Sequence, residues 1–251
     1  MAAYDRDEPG AGHTTKPAPV ANLICGSPHR NHDFDFARLR LAQALYDAGG
    51  IRTDCFQDYE DSAAILRGDL LVTYTSQVAV SDRACAALHR YLEDGGRWFA
   101  LHGSNSVLQN PHLPHLLGTR FLSHPPYCKF TVQIAAPGDP LLEGIGPFEI
   151  EDELYCIEHC TPDIEVLLHT RWGGEAIGGR KFAEADQTLM YRRRVGAGGV
   201  LYLALGHANR PYDKPFAHMP DQPDHRGPWD LPVYQILVAR GIEWAAGRRP
   251  L

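Results

Sequence analysis

From Val20 onward, short apolar runs alternate with longer stretches in which apolar residues recur at helical spacing. Val20 to Cys25 reads as a strand that runs into the polar, turn-rich loop Gly26-Ser27-Pro28-His29-Arg30-Asn31-His32-Asp33. Phe36, Leu39, Leu41, Ala42 and Leu45 then mark the apolar face of a helix over Phe34 to Ala48, which Gly49-Gly50 closes. Ile51 to Phe56 and Leu70 to Tyr74 predict two further strands. Ser81 caps a helix carrying Ala84, Leu88, Tyr91 and Leu92 on one side, and Gly95-Gly96 ends it. Trp98 to Leu101 is a fourth strand that stops at His102-Gly103-Ser104-Asn105-Ser106, and a short helix follows as far as Leu117. This alternation implies right-handed crossovers and a parallel sheet covered on both faces.

The second half is richer in strands. Phe130 to Ala135, Phe148 to Ile157, Ile164 to His169, Thr188 to Arg192 and Val200 to Leu205 read as strands, and the glycines at 173–174, 178–179 and 196–199 as hairpin turns. Asp230 to Ala246 predicts a closing helix with Val233, Leu237, Ile242 and Trp244 available for packing. The expected class is α/β, a mostly parallel sheet with antiparallel additions in the C-terminal half. Residues 20–251 would form one domain behind a disordered tail of residues 1–19, since 251 residues lie near the upper size of a single core.

Charge narrows the partners. A formal net charge of -7 and a pI of about 6.0 offer no field for a phosphate backbone, and Arg192-Arg193-Arg194 is too short a run to supply one. No apolar run approaches the roughly 20 residues of a membrane span. The six cysteines sit mostly within apolar segments, as buried thiols do in a reducing compartment, so a cytoplasmic location is expected. None of the glycine-rich segments follows a strand and opens a helix, so no nucleotide cofactor is expected. A small molecule and further copies of the chain remain as partners.

Ligands of open parallel sheets bind beyond the carboxyl ends of the strands, which directs attention to the loops there. His29, His32 and Asp33 follow the first strand; His102, Ser104 and Asn105 follow the fourth; His207 and Asn209 follow Val200 to Leu205. A second concentration is Glu149-Ile150-Glu151-Asp152-Glu153-Leu154-Tyr155. Strand alternation would place Glu149, Glu151 and Glu153 on one side and Asp152 on the other. Glu153 and Asp152 are the catalytic candidates from this run. Imidazole and carboxylate together suit zinc, manganese or iron bound with a position left open, and a metal-free acid/base site is the alternative. Cys156-Ile157-Glu158-His159-Cys160 lacks a second ligand pair and reads as a strand. His102-Gly103-Ser104-Asn105-Ser106 holds only part of a nucleophile elbow around Ser104.

Several segments taken in order resemble the ThuA-like (trehalose utilisation) family, within the class I glutamine amidotransferase-like folds. They are His32-Asp33-Phe34, Gly95 to His102, Leu116 to Pro125, Ile150 to Tyr155, Val200 to His207 and Gly241 to Gly247. The resemblance implies a three-layer, flavodoxin-like sandwich, a place in sugar catabolism that includes 3-keto sugars, and a divalent metal. It also adds His124 to the site, giving His32, His102 and His124 as expected metal ligands. The amidotransferases carry a nucleophilic cysteine where this chain has His102-Gly103-Ser104, so glutamine hydrolysis is not expected.

On this basis the substrate would be a keto sugar or keto-glycoside. Glu153 or His207 would be the base, and His102 and His32 the metal or oxyanion partners. Ser104, Asn105, Tyr155, Asn209 and Trp229 would contact substrate, and Tyr212 to Trp229 would form a lid. The alternatives are a non-catalytic sugar-binding or regulatory protein and a hydrolase that uses Ser104.

Overall fold

A computed structural model describes residues 18–29, 31–107, 109–209 and 225–251. Five strands form the parallel half of a nine-stranded sheet: β1 (Val20–Gly26), β2 (Arg52–Phe56), β3 (Leu70–Thr75), β4 (Arg97–Leu101) and β11 (Gly198–Leu203). The antiparallel half comprises β6 (Cys128–Ile134), β7 (Phe148–Asp152), β9 (Glu165–Glu175) and β10 (Lys181–Val195), and the order across the sheet is β2-β1-β3-β4-β11-β10-β9-β6-β7. A separate antiparallel ribbon pairs β5 (Thr119–Ser123) with β8 (Cys156–His159).

Strand alternation sorts the core into two layers. Leu23, Val72, Phe99, Leu101, Leu201 and Leu203 pack under α1 (Phe34–Asp47) and α5 (Pro232–Ala245). Ile24, Leu71, Trp98, Ala100, Val200 and Tyr202 face the opposite side, with α2 (Ser62–Arg67), α3 (Asp82–Glu93) and α4 (Leu113–Leu117). The result is the expected three-layer sandwich, with β1, β3, β4 and β11 buried on both faces and β2 a largely exposed edge strand. No helix among the described residues is long and apolar enough to cross a membrane.

Several local expectations change. Leu39 is 70% exposed, and α1 packs through Ala37, Leu41 and Leu45 instead. The single strand expected over Phe148 to Ile157 is two, β7 and β8, in different sheets. Gly173 and Gly174 lie within β9 rather than in a turn, beside an irregularity in its pairing with β10; a Cβ on Gly173 would meet the Glu184 backbone at 2.5 Å. The strand β5 and the short helix α2 were not predicted. The expected lid falls mostly on residues 210–224, and the expected tail on residues 1–17, both outside the described residues.

Candidate functional site

Four buried side chains, His32, His102, Glu153 and His207, offer ligand atoms that all lie within 4.8 Å of one another. Each comes from a different connection at the carboxyl end of the parallel strands or beside it. Local chemistry fixes each approach.

His102 follows β4 at φ +46°, a left-handed conformation that a non-glycine residue adopts at a cost. The Tyr202 hydroxyl holds its carbonyl at 2.7 Å. Its Nδ1 donates to the Ala204 carbonyl at 2.7 Å, so Nε2 keeps its lone pair and faces His32 Nε2 at 2.9 Å and His207 Nδ1 at 3.3 Å. His32 precedes Asp33, which caps α1 by accepting the Phe36 amide and is tied by its own amide to the Ala208 carbonyl. His207 follows β11 through Gly206, at φ +121°.

Glu153 arrives from the far edge of the sheet. β7 alternates as expected, with Glu149 and Glu151 exposed and Ile150 and Asp152 buried. The pattern then breaks, because the Asp152 carboxylate captures the amide of Glu153 at 2.9 Å together with those of Gly206 and His207. Glu153 therefore turns inward beside Asp152, not outward with Glu149 and Glu151, and its Oε2 meets His207 Nδ1 at 2.9 Å.

Burial dominates the electrostatics. It drives the pKa of His102 down to about 3, assisted by the neighbouring His207, and that of His32 well below the ordinary imidazole value. Both rings are thus neutral ligands at neutral pH. Burial alone would raise Glu153, but the imidazoles of His207 and His124 outweigh it and hold the carboxyl well below the usual range. Burial pushes Asp152 up to about 7 against its amide hydrogen bonds.

The other expected site residues divide. Tyr155 lies on the cluster, its ring centroid 4.2 Å from that of His102 and its hydroxyl 3.4 Å from His32 Nε2. His124 stands at the rim, not among the four donors: its Nδ1 is 2.8 Å from the Pro125 carbonyl and 3.7 Å from Glu153 Oε1. Of the expected ligands His32, His102 and His124, the first two stand in the cluster, where His207 and Glu153 join them and His124 does not. Asp152 sits behind the cluster. Ser104 is turned into β3, bonding the Thr73 carbonyl and hydroxyl and the Thr75 amide, so its described contacts include no base. Asn105 donates to Thr119 Oγ1, and Asn209 forms a backbone bridge with His225. Trp229 donates to the Gly206 carbonyl and packs edge-on against Tyr74 and Phe36. His29 is exposed.

Two contributors were missed or reached indirectly. His225, within the segment expected to cover the site, lies tilted against His207 with centroids 4.6 Å apart, a contact that the segment's composition did not single out. His124 directly follows β5, the same strand-into-histidine pattern that marked His102, and recognising Thr119–Ser123 as a strand would have found it.

The donors suit an ion. Ligands about 2.0–2.1 Å from a tetrahedral zinc stand roughly 3.3 Å apart, and the separations from His102 Nε2 to His32, His207 and Glu153 are 2.9, 3.3 and 3.8 Å. Three imidazoles and one carboxylate match zinc, manganese or iron.

Fold and site together define an α/β sandwich with a buried histidine–carboxylate cluster at its carboxyl edge. The chain belongs to the ThuA family, described as trehalose utilisation, whose sequence model matches residues 27–219. It is similar to ThuA-like proteins of Bacteroides uniformis (16% identity, TM-score 0.70, 96% of each chain covered) and Parabacteroides merdae (15%, 0.69, 93% of this chain and 91% of that one). A β-galactosidase of Bacillus circulans sp. alkalophilus shares the fold over 75% of this chain and 28% of its own (14%, 0.54). No curated protein matches the chain.

Proposed function

We propose that this protein is an enzyme of sugar catabolism that removes a proton next to the carbonyl of a keto sugar or 3-keto-glycoside, leading to isomerisation or loss of the glycosidic group. One observation carries the reading: three imidazoles and a carboxylate, remote in sequence, converge in one buried cluster, with the tautomer of His102 set by Ala204. His32, His102, His207 and Glu153 would hold a divalent ion, which when bound supplies Lewis acidity toward a carbonyl oxygen.

The chain's own groups supply the rest. His124 uses Nδ1 on the Pro125 carbonyl, which leaves Nε2 as the ring's acceptor for a substrate proton, and Glu153 Oε1 stands 3.7 Å from Nδ1. Burial keeps Tyr155 protonated, so its hydroxyl can donate to a developing oxyanion. Family membership in trehalose utilisation supports a sugar as substrate.

The test is metal analysis of the purified protein, followed by incubation with 3-keto-trehalose and 3-keto-glucosides. Turnover is expected, with a loss of at least about 100-fold in kcat for His102→Ala and a comparable fall for Glu153→Ala. Binding of these sugars without conversion would replace this reading with a non-catalytic sugar-binding protein. Ser104→Ala is expected to retain activity.

A further inference from the structure

Asp152 is fully buried, yet it is not among the four donors. Its Oδ1 accepts the amide hydrogens of Glu153 at 2.9 Å and His207 at 3.0 Å, and its Oδ2 accepts that of Gly206 at 2.7 Å. Two of these amides belong to cluster residues whose side chains meet at 2.9 Å. The third belongs to the glycine that precedes one of them.

The topology makes this junction unusual. Strands β10, β9 and β6 separate β7 from β11 in the sheet order, so pairing within the sheet does not bring Glu153 to His207. The Asp152 carboxylate bonds the end of β7 directly to the main chain of the segment after β11. The junction is also closed from above. A Cβ on Gly227, at φ +49°, would stand 2.3 Å from the His207 carbonyl oxygen and 2.9 Å from Asp152 Oδ1.

We propose that Asp152 is a positioning residue: it sets the contact between Glu153 and His207 by holding both through their main-chain amides, and so determines how tightly the cluster grips an ion. The proposal rests on the ion-site reading given above. It follows from acceptor chemistry, because a carboxylate offers acceptors at both oxygens, whereas an asparagine must turn an NH2 toward one of these amides. At a site sealed from water the resulting donor–donor contact has no relief except movement of the backbone, and that movement displaces Glu153 or His207.

The test uses the full-length protein and its Asp152→Asn variant, titrated with Co2+ and read by visible absorption. Asp152→Asn is expected to weaken Co2+ binding by about 10- to 100-fold, as loss of an outer-shell partner does elsewhere, and to shift the absorption bands of the loaded site. Leu237→Ala, a core change on the buried face of α5, controls for a general loss of stability and is expected to leave affinity and bands unchanged. Wild-type affinity and bands in Asp152→Asn would overturn the proposal while leaving the ion site standing.

If the unmodified protein takes up no Co2+, the ion reading fails, and 15N NMR of the metal-free imidazoles decides the positioning role. A single His207 tautomer, with Nδ1–H directed at Glu153, is expected in the unmodified protein. Its replacement by a mixture in Asp152→Asn supports the proposal, and its persistence overturns it. Should Asp152→Asn fail to fold, Gly227→Ala presses on the same junction from outside. Weakened Co2+ binding or a mixed His207 tautomer in that variant supports the proposal, and neither change overturns it.

Discussion

The hydroxyl of Tyr202, on β11, donates to the main-chain carbonyl of His102 at 2.7 Å and so pins the one cluster residue whose backbone is in the left-handed region. Both residues are fully buried. Tyr202→Phe leaves that carbonyl unpaired away from water and is expected to lower unfolding free energy by about 1–3 kcal/mol. Urea denaturation measures it. An unchanged midpoint would mean that the sharp turn after β4 does not depend on this bond.

Acid should weaken the metal-free protein through its imidazoles. The folded pKa of His102 is depressed from 6.5 to about 3 by burial and by His207, and that of His32 is also lowered. A group of this kind takes up its proton first in the unfolded chain. Its stabilising contribution is therefore complete above about 6.5 and is lost as pH falls from there toward 3. Urea midpoints are expected to drop steadily between pH 7 and pH 4, and less steeply in His102→Gln. Parallel profiles for the two proteins would contradict this.

Divalent ions should stabilise the fold if the cluster binds them. At about 1,000 times the dissociation constant, a ligand specific for the native state adds roughly 4 kcal/mol. Thermal unfolding with Zn2+ or Mn2+ is expected to shift upward, and a chelator should reverse the shift. Replacing His32 with alanine should remove most of it.

Gly206 cannot be replaced without disturbing the approach to His207. Its φ is +121°, and an added Cβ would lie 2.3 Å from the Tyr234 hydroxyl. Gly206→Ala is expected to lose about 1–3 kcal/mol from backbone strain alone, with weaker metal binding beside it. Differential scanning calorimetry with and without Zn2+ separates the two effects.

The parallel half of the fold was legible because its inner strands are buried on both sides and its helices carry 3.6-residue periodicity, each a local pattern. The same locality exposed three of the four cluster residues: His32, His102 and His207 each follow an apolar strand, and chain order places such strands in a parallel sheet with their carboxyl ends together. Even Leu39, which the sequence assigned to the buried face of α1, is only a displacement of that face toward Ala37.

Glu153 is different. Its neighbours alternate as a strand should, and period-two reasoning sets it on the side of Glu149 and Glu151, so the sequence could name it as a catalytic candidate beside Asp152 without deciding which of the two faces the site. What turns it inward is a carboxylate one residue earlier bonding amides more than fifty positions away. The same is true of His124 and Tyr155, which the β5–β8 ribbon sets side by side. Sequence determined which imidazoles stand at the carboxyl ends of strands, because local periodicity is enough for that. Only the folded chain decided which carboxylate meets them, because a hydrogen bond between distant segments leaves no trace in the spacing of either one.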